Sequence, residues 1–127
     1  MYNILLVLFL LFTTTTAYAV PRTGAIYSII GEAEGEGPKG MLAVACAIRN
    51  RGTLKGVYGQ YANRVTNREF SEITLMTATH AWDLSKDSDN CTFIGGATHW
   101  EGTVFKTPYW SKGMKVTATI GHQRFYK

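Results

Sequence analysis

The apolar positions of this chain follow a helical period through its first two thirds and a strand-like one in its last third. Ile26, Ile29, Ile30 and Ala33 recur at helical spacing and predict a first helix over residues 23–31 with one buried stripe. Pro38 suits the first turn of a second helix running to about Arg51. Its apolar face, Met41, Leu42, Ala45, Cys46 and Ile48, is broad, and Gly52 stops it. A third helix is expected over residues 73–86, with Ile73, Met76, Thr77, His80, Ala81 and Leu84 as its inward stripe and Trp82 in the core. Residues 96–100, 116–120 and 123–126 are short, rich in threonine, valine and aromatics, and separated by glycine and proline, the pattern of a small antiparallel sheet. Helices first and sheet last give an α+β class.

Three carboxylates, Glu32, Glu34 and Glu36, crowd the end of the first helix between Gly31, Gly35 and Gly37. If the helical register continues, Glu32 and Glu36 share one flank and Glu34 takes the other. Glu32 then lies beside apolar surface and near the negative end of the helix dipole. Both effects disfavour its ionised form, which is what a general acid working near neutral pH requires. The plain alternative is a solvated, glycine-rich helix end.

Composition narrows the setting. A chain of 127 residues is one domain, and an apolar fraction of 46 % excludes a disordered chain. The formal charge of +4 implies an anionic partner without saying which, since wall polymers, nucleic acid and membrane surfaces all qualify. The apolar run from Ile4 to Phe12, followed by threonines and Ala17-Tyr18-Ala19, has the form of a cleavable leader over residues 1–19. The mature domain would then span residues 20–127. No lysine or arginine precedes the run, so an uncleaved membrane anchor is the alternative. Export would permit Cys46 and Cys91 to pair, although a buried thiol and a loop thiol fit the sequence equally.

Residues 53–71 interleave Lys55, Arg64 and Arg68 with Tyr58, Tyr61 and Phe70, which suits stacking on bases or on sugar rings. No RNA-binding signature accompanies them. His80, His99 and His122 match no metal-ligand spacing, and neither a phosphate loop nor a nucleophile elbow is present. No metal or other cofactor is expected.

Several segments, in order, resemble the SleB-type cell wall hydrolases, a family of peptidoglycan-cleaving domains. They are Ile29-Ile30-Gly31-Glu32-Ala33-Glu34-Gly35-Glu36, then Gly40, Ala43-Val44 and Ile48-Arg49-Asn50-Arg51. Glu69-Phe70-Ser71, Ala81-Trp82 and Gly96-Ala97-Thr98-His99-Trp100 follow, with Pro108-Tyr109-Trp110 and the closing Ile120-Gly121-His122-Gln123-Arg124-Phe125-Tyr126. The resemblance implies a lysozyme-like or lytic-transglycosylase-like fold that cleaves the bond between N-acetylmuramic acid and N-acetylglucosamine. It also implies a peptidoglycan glycan strand as partner, and export by the leader would place the chain in the periplasm, wall or medium. Nucleic acid is not an expected partner, a membrane is one only through an uncleaved leader, and the chain is expected to be a monomer.

By the same resemblance Glu32 is the catalytic acid. Glu36 and Glu101 are candidates for a second carboxylate, with capping or bracing the next helix the favoured alternative for Glu36 and plain exposure the alternative for Glu101. Thr98, His99, Trp100, Tyr109, Trp110, His122 and Tyr126 are candidate substrate-binding residues; packing of a small sheet is the alternative for Trp100, Tyr109 and Trp110, orienting Glu32 for Thr98 and His99, and orienting Glu32 or holding the last strands for His122 and Tyr126. A hydrolase needs a second carboxylate, whereas a lytic transglycosylase manages with one; the lack of a clear second one favours the transglycosylase. A secreted wall-binding protein without turnover is the competing class.

Overall fold

The computed structural model describes residues 19–104 and 106–127; the expected leader lies outside them except for Ala19. Helix α1 (Arg22–Ala33) buries Ala25, Ile26, Ile29, Ile30 and Ala33, the stripe its periodicity predicts. It runs two residues beyond the expected end and so carries Glu32 in its last turn. Ala33 then leaves helical geometry (φ −140°), and Glu34–Glu36 form a single 3₁₀ turn. The helical register therefore breaks between Glu32 and Glu36, and the expected placement of both on one helix flank does not hold.

Helix α2 (Gly37–Arg51) starts with proline in its first turn and ends on Gly52 in the left-handed conformation (φ +72°), whose N–H returns to the Ile48 carbonyl. It is the centre of the domain. Met41 and the run from Ala43 to Ile48 are buried on all sides, because small side chains let α1, the fourth helix and the sheet approach it together. Helix α3 (Asn63–Thr66) is one turn. Helix α4 (Glu72–Leu84) is capped by Ser71, whose hydroxyl accepts the Thr74 N–H at 3.1 Å.

The expected stripe on α4 is the one that fails, except at Ala81, which is buried. Ala78, Ala81 and Trp82 face inward, while Ile73 (76 % exposed), Met76 (70 %), His80 and Leu84 face solvent. Two alanines and a tryptophan, with Leu75 partly buried beside the core, carry the packing, and alanine registers weakly in an apolar pattern. Trp82 is in the core as expected, with the Arg49 guanidinium 3.4 Å above its ring centre.

Strands β1 (His99–Gly102), β2 (Val116–Ile120) and β3 (Gln123–Tyr126) form one antiparallel sheet in the order β1-β3-β2. The last two strands match expectation. The first begins three residues late, because Gly95 and Gly96 take positive φ (60° and 77°) and Ala97 is buried under the turn they make. A register shift between Val116 and Ala118 leaves Thr117 to hydrogen-bond the Ile94 carbonyl at 2.7 Å. The central strand buries Gln123, Phe125 and Tyr126 against the helices. Cys46 on α2 and Cys91 in the 3₁₀ turns of Ser88–Ile94 form a disulfide, with Cα atoms 5.4 Å apart, fastening α2 to the segment that leads into β1. No described helix is long and apolar enough to cross a membrane.

Candidate active site

The last turn of α1 is held from three sides. Gly31 lies flat against the backbone of Gly59: a Cβ on Gly31 would stand 1.9 Å from the Gly59 carbonyl oxygen, and one on Gly59 would meet Glu32 Cγ at 2.8 Å. The glycine thus serves a backbone crossing beside Glu32. Arg64 reaches the open end of the helix, donating Nη2 to the carbonyls of Ile30 (3.1 Å) and Gly31 (3.0 Å), and pairs through Nη1 with Glu34. Glu34 also accepts the Thr74 hydroxyl at 3.2 Å, which occupies it structurally. From the sheet, Gln123 donates its side-chain amide to the Glu32 carbonyl at 2.9 Å.

These contacts aim the Glu32 side chain into a cleft of about 470 Å³ between α1, the C-terminal end of α2 and the sheet. There Trp100 Nε1 donates to Glu32 Oε2 at 3.2 Å. His99, Trp100, Tyr109 and Trp110, expected from sequence as substrate contacts, line the same cleft. Tyr58, from the segment with interleaved aromatics, and Arg51 complete its walls. Tyr109 is 92 % exposed, an aromatic face open to a ligand.

The remaining candidates are placed elsewhere. Thr98 sits beside His99, its hydroxyl 2.8 Å from His99 Nδ1. Tyr126 is buried outside the cleft lining, edge-on to Trp110, and donates its hydroxyl to Glu101 Oε1 at 2.6 Å. Burial, followed by that hydrogen bond, pushes the Tyr126 phenol upward. Glu101 is itself almost wholly covered and pairs with Arg124 at 2.7 Å, so both of its demands are met inside the sheet. His122 is exposed in the β2–β3 turn. Its backbone N–H donates to Glu36 Oε2 at 3.0 Å and its ring stands 3.6 Å from the same carboxylate. Gly121 leaves room for that contact, since a Cβ there would lie 2.3 Å from Glu36 Oε2. Glu36 thereby ties the α1–α2 junction to the hairpin, away from the cleft lined by Glu32.

The C-terminal turn of α2 explains the cleft's far wall. Arg49 bonds the Ser85 hydroxyl and the Trp82 carbonyl on α4 (3.0 and 2.9 Å), and Asn50 bonds the Ala97 carbonyl at 3.0 Å. Arg51 donates to the Lys55 carbonyl at 2.7 Å and the Thr98 carbonyl at 3.3 Å. Desolvation, with Arg51 second, lowers the pKa of His99, which favours a neutral ring facing the cleft. Among the described residues no three histidine, cysteine or acidic side chains come together to hold a metal ion.

Two solved structures share this fold. The catalytic domain of the germination-specific lytic transglycosylase SleB from Bacillus anthracis matches with a TM-score of 0.61 at 23 % identity, over 84 % of this chain and 93 % of that one. The catalytic domain of the Bacillus cereus SleB protein matches with a TM-score of 0.55 at 20 % identity, over 84 % of this chain and 88 % of that one. No family profile and no curated protein matches the chain. The fold is therefore the SleB catalytic-domain fold, α+β and lysozyme-like, as the sequence segments implied.

Proposed function

We propose that this chain is a peptidoglycan glycosidase that cleaves the bond between N-acetylmuramic acid and N-acetylglucosamine as a lytic transglycosylase, with Glu32 as its acid and base. The observation that carries the proposal is Glu32 itself, aimed into an aromatic-walled cleft on the fold that two SleB catalytic domains share. Aromatic faces such as those of Tyr58, Tyr109 and Trp110 suit the apolar faces of pyranose rings. Export through residues 1–19 would bring the chain to such a substrate.

In this reading Glu32 gives its proton to the bridging oxygen as the glycosidic bond breaks and the muramyl ring gains oxocarbenium character. The glutamate, now a carboxylate, takes the proton of the muramyl 6-hydroxyl as that oxygen closes on the anomeric carbon, leaving a 1,6-anhydro sugar and the enzyme in its starting state. The Trp100 indole, bonded to one oxygen of Glu32, keeps the carboxyl oriented. Glu32 is the carboxylate that lines the cleft among the described residues; Glu36 and Glu101 are engaged by His122 and by Arg124 and Tyr126. That arrangement favours the one-carboxylate route over hydrolysis, and it makes Glu36 a brace.

Mass spectrometry of fragments released from purified peptidoglycan tests the proposal. Anhydro-muramyl ends are expected, with Glu32→Gln reducing their release by roughly 10²- to 10⁴-fold. Reducing ends would mean hydrolysis instead. Wall binding without release would leave the chain as a non-catalytic wall protein.

A further inference from the structure

The cleft contains one cation that the reaction described above does not use. Arg51 is half-buried, and its guanidinium is clamped by two carbonyls, those of Lys55 and Thr98. Gly56 is cut back to make room for it, since a Cβ there would lie 2.7 Å from Arg51 Nη2. The group stands 5.9 Å from the ring centre of Trp100 and lines the same wall. Carbonyls fix the direction of a guanidinium without cancelling its charge. Among the described residues, Arg22, Arg64 and Arg124 each pair with a carboxylate within ion-pair distance, whereas Arg51 has none. A guanidinium held rigidly at a cleft wall, with donors left over and no carboxylate within ion-pair distance, is a ready partner for an anionic group on the ligand.

We infer that Arg51 forms an anion subsite that recognises a carboxylate carried by the muramyl residue, so that the cleft selects glycan strands bearing charged muramyl substituents over neutral ones. The inference rests on the peptidoglycan reading. Two sources supply that chemistry: the lactyl carboxylate of a muramyl residue without a peptide, and the side-chain or terminal carboxylates of an attached stem peptide. The shared requirement is a planar anion that accepts two parallel N–H bonds from the guanidinium fork. A lysine at this position keeps the charge and loses the fork.

The test measures binding of soluble glycan strands to the Glu32→Gln protein, which leaves its ligand uncut. Three strands are compared: one with intact stem peptides, one stripped by an amidase to free lactyl carboxylates, and one whose carboxylates have been converted to amides with carbodiimide and ammonia. Charged strands are expected to bind about tenfold more tightly than amidated ones. Adding Arg51→Gln should bring that ratio close to one, and Arg51→Lys should give an intermediate ratio. Lys86→Gln, which removes the same charge beyond the end of α4, should leave it unchanged.

Preference for stripped strands assigns the lactyl carboxylate, and preference for intact strands assigns the stem. Equal affinity for charged and amidated strands overturns the inference, as does a tenfold ratio that survives Arg51→Gln. The comparison within the Glu32→Gln protein needs no change at Arg51, so a poorly folded Arg51 variant does not blur it. If no strand binds and the native chain releases nothing, the peptidoglycan reading fails as well; cleavage with equal affinities removes the subsite alone.

Discussion

The end of α1 and the outer face of α4 both meet solvent, and they are built to different standards. Around Glu32, contacts come from residues far along the chain: Gly59 against Gly31, Arg64 on the last carbonyls, Gln123 on the Glu32 backbone and Trp100 on its carboxyl. On α4, Ile73 and Met76 stand out from the surface with only shallow hollows between them and their neighbours. An amphipathic pattern is therefore a poor guide to function. The α4 stripe leaves Ile73, Met76, His80 and Leu84 in solvent, whereas the glycine-broken end of α1 is fixed from several directions. Convergence of distant contacts on one polar side chain marks the place where geometry matters, as the role proposed for Glu32 would require.

If the convergent contacts matter, removing them costs stability or activity, and the disulfide has the most to lose. Cys46 and Cys91 are 45 residues apart and join α2 to the segment that delivers β1, and with it Trp100, to the cleft. Replacing both by alanine should cost about 4 kcal/mol in urea unfolding, the loop-entropy value for a closure of this length. Glycan release at 25 °C should fall only by the fraction of chains unfolded. A loss of activity in fully folded protein would show that the bridge also sets the position of the sheet.

Gly31→Ala acts on the same end of α1 with a smaller effect. The added methyl would sit 1.9 Å from the Gly59 oxygen, so backbone must move rather than a side chain. A cost of about 3 kcal/mol is expected, at the upper end of ordinary overpacking. Because Gly59 also touches Glu32, activity per folded molecule should fall too. A variant with native stability and native activity would show that the crossing can relax without disturbing the acid.

What the sequence disclosed follows the same division. The stripes of α1 and α2 were legible because their inward residues are large or form an unbroken apolar run; on α4 the inward residues are Ala78, Ala81 and Trp82, and bulkier residues on the far face outweigh them in any periodic reading. The late start of β1 was hidden in the backbone of Gly95 and Gly96, whose positive φ no side-chain pattern reports. The resemblance singled out Glu32, His99, Trp100, Tyr109 and Trp110, which share the cleft. It also offered Tyr126 and His122, which lie outside the cleft lining and on the hairpin because β3 is the central strand and His122 belongs to its turn. Arg51 stood in a quoted motif without a role. Its place in the wall depends on a bond to Lys55 and on the absence of a side chain at Gly56, and neither follows from residue type or spacing.

The smallest effect tests the other side of the comparison. If the α4 stripe is surface, then Met76→Gln, at a side chain 70 % exposed, should change stability by less than about 0.5 kcal/mol, the usual range for a surface exchange. Ala78→Leu, two residues along and fully buried, should cost about 1–3 kcal/mol by overpacking, although it adds apolar surface to the helix. The substitution that removes apolar surface is then nearly neutral, and the one that adds it is destabilising. A reading of α4 with the Met76 stripe inward predicts the reverse order, so paired urea unfolding curves separate the two. A marked destabilisation by Met76→Gln would mean that this face is covered in solution and that α4 is held on both sides.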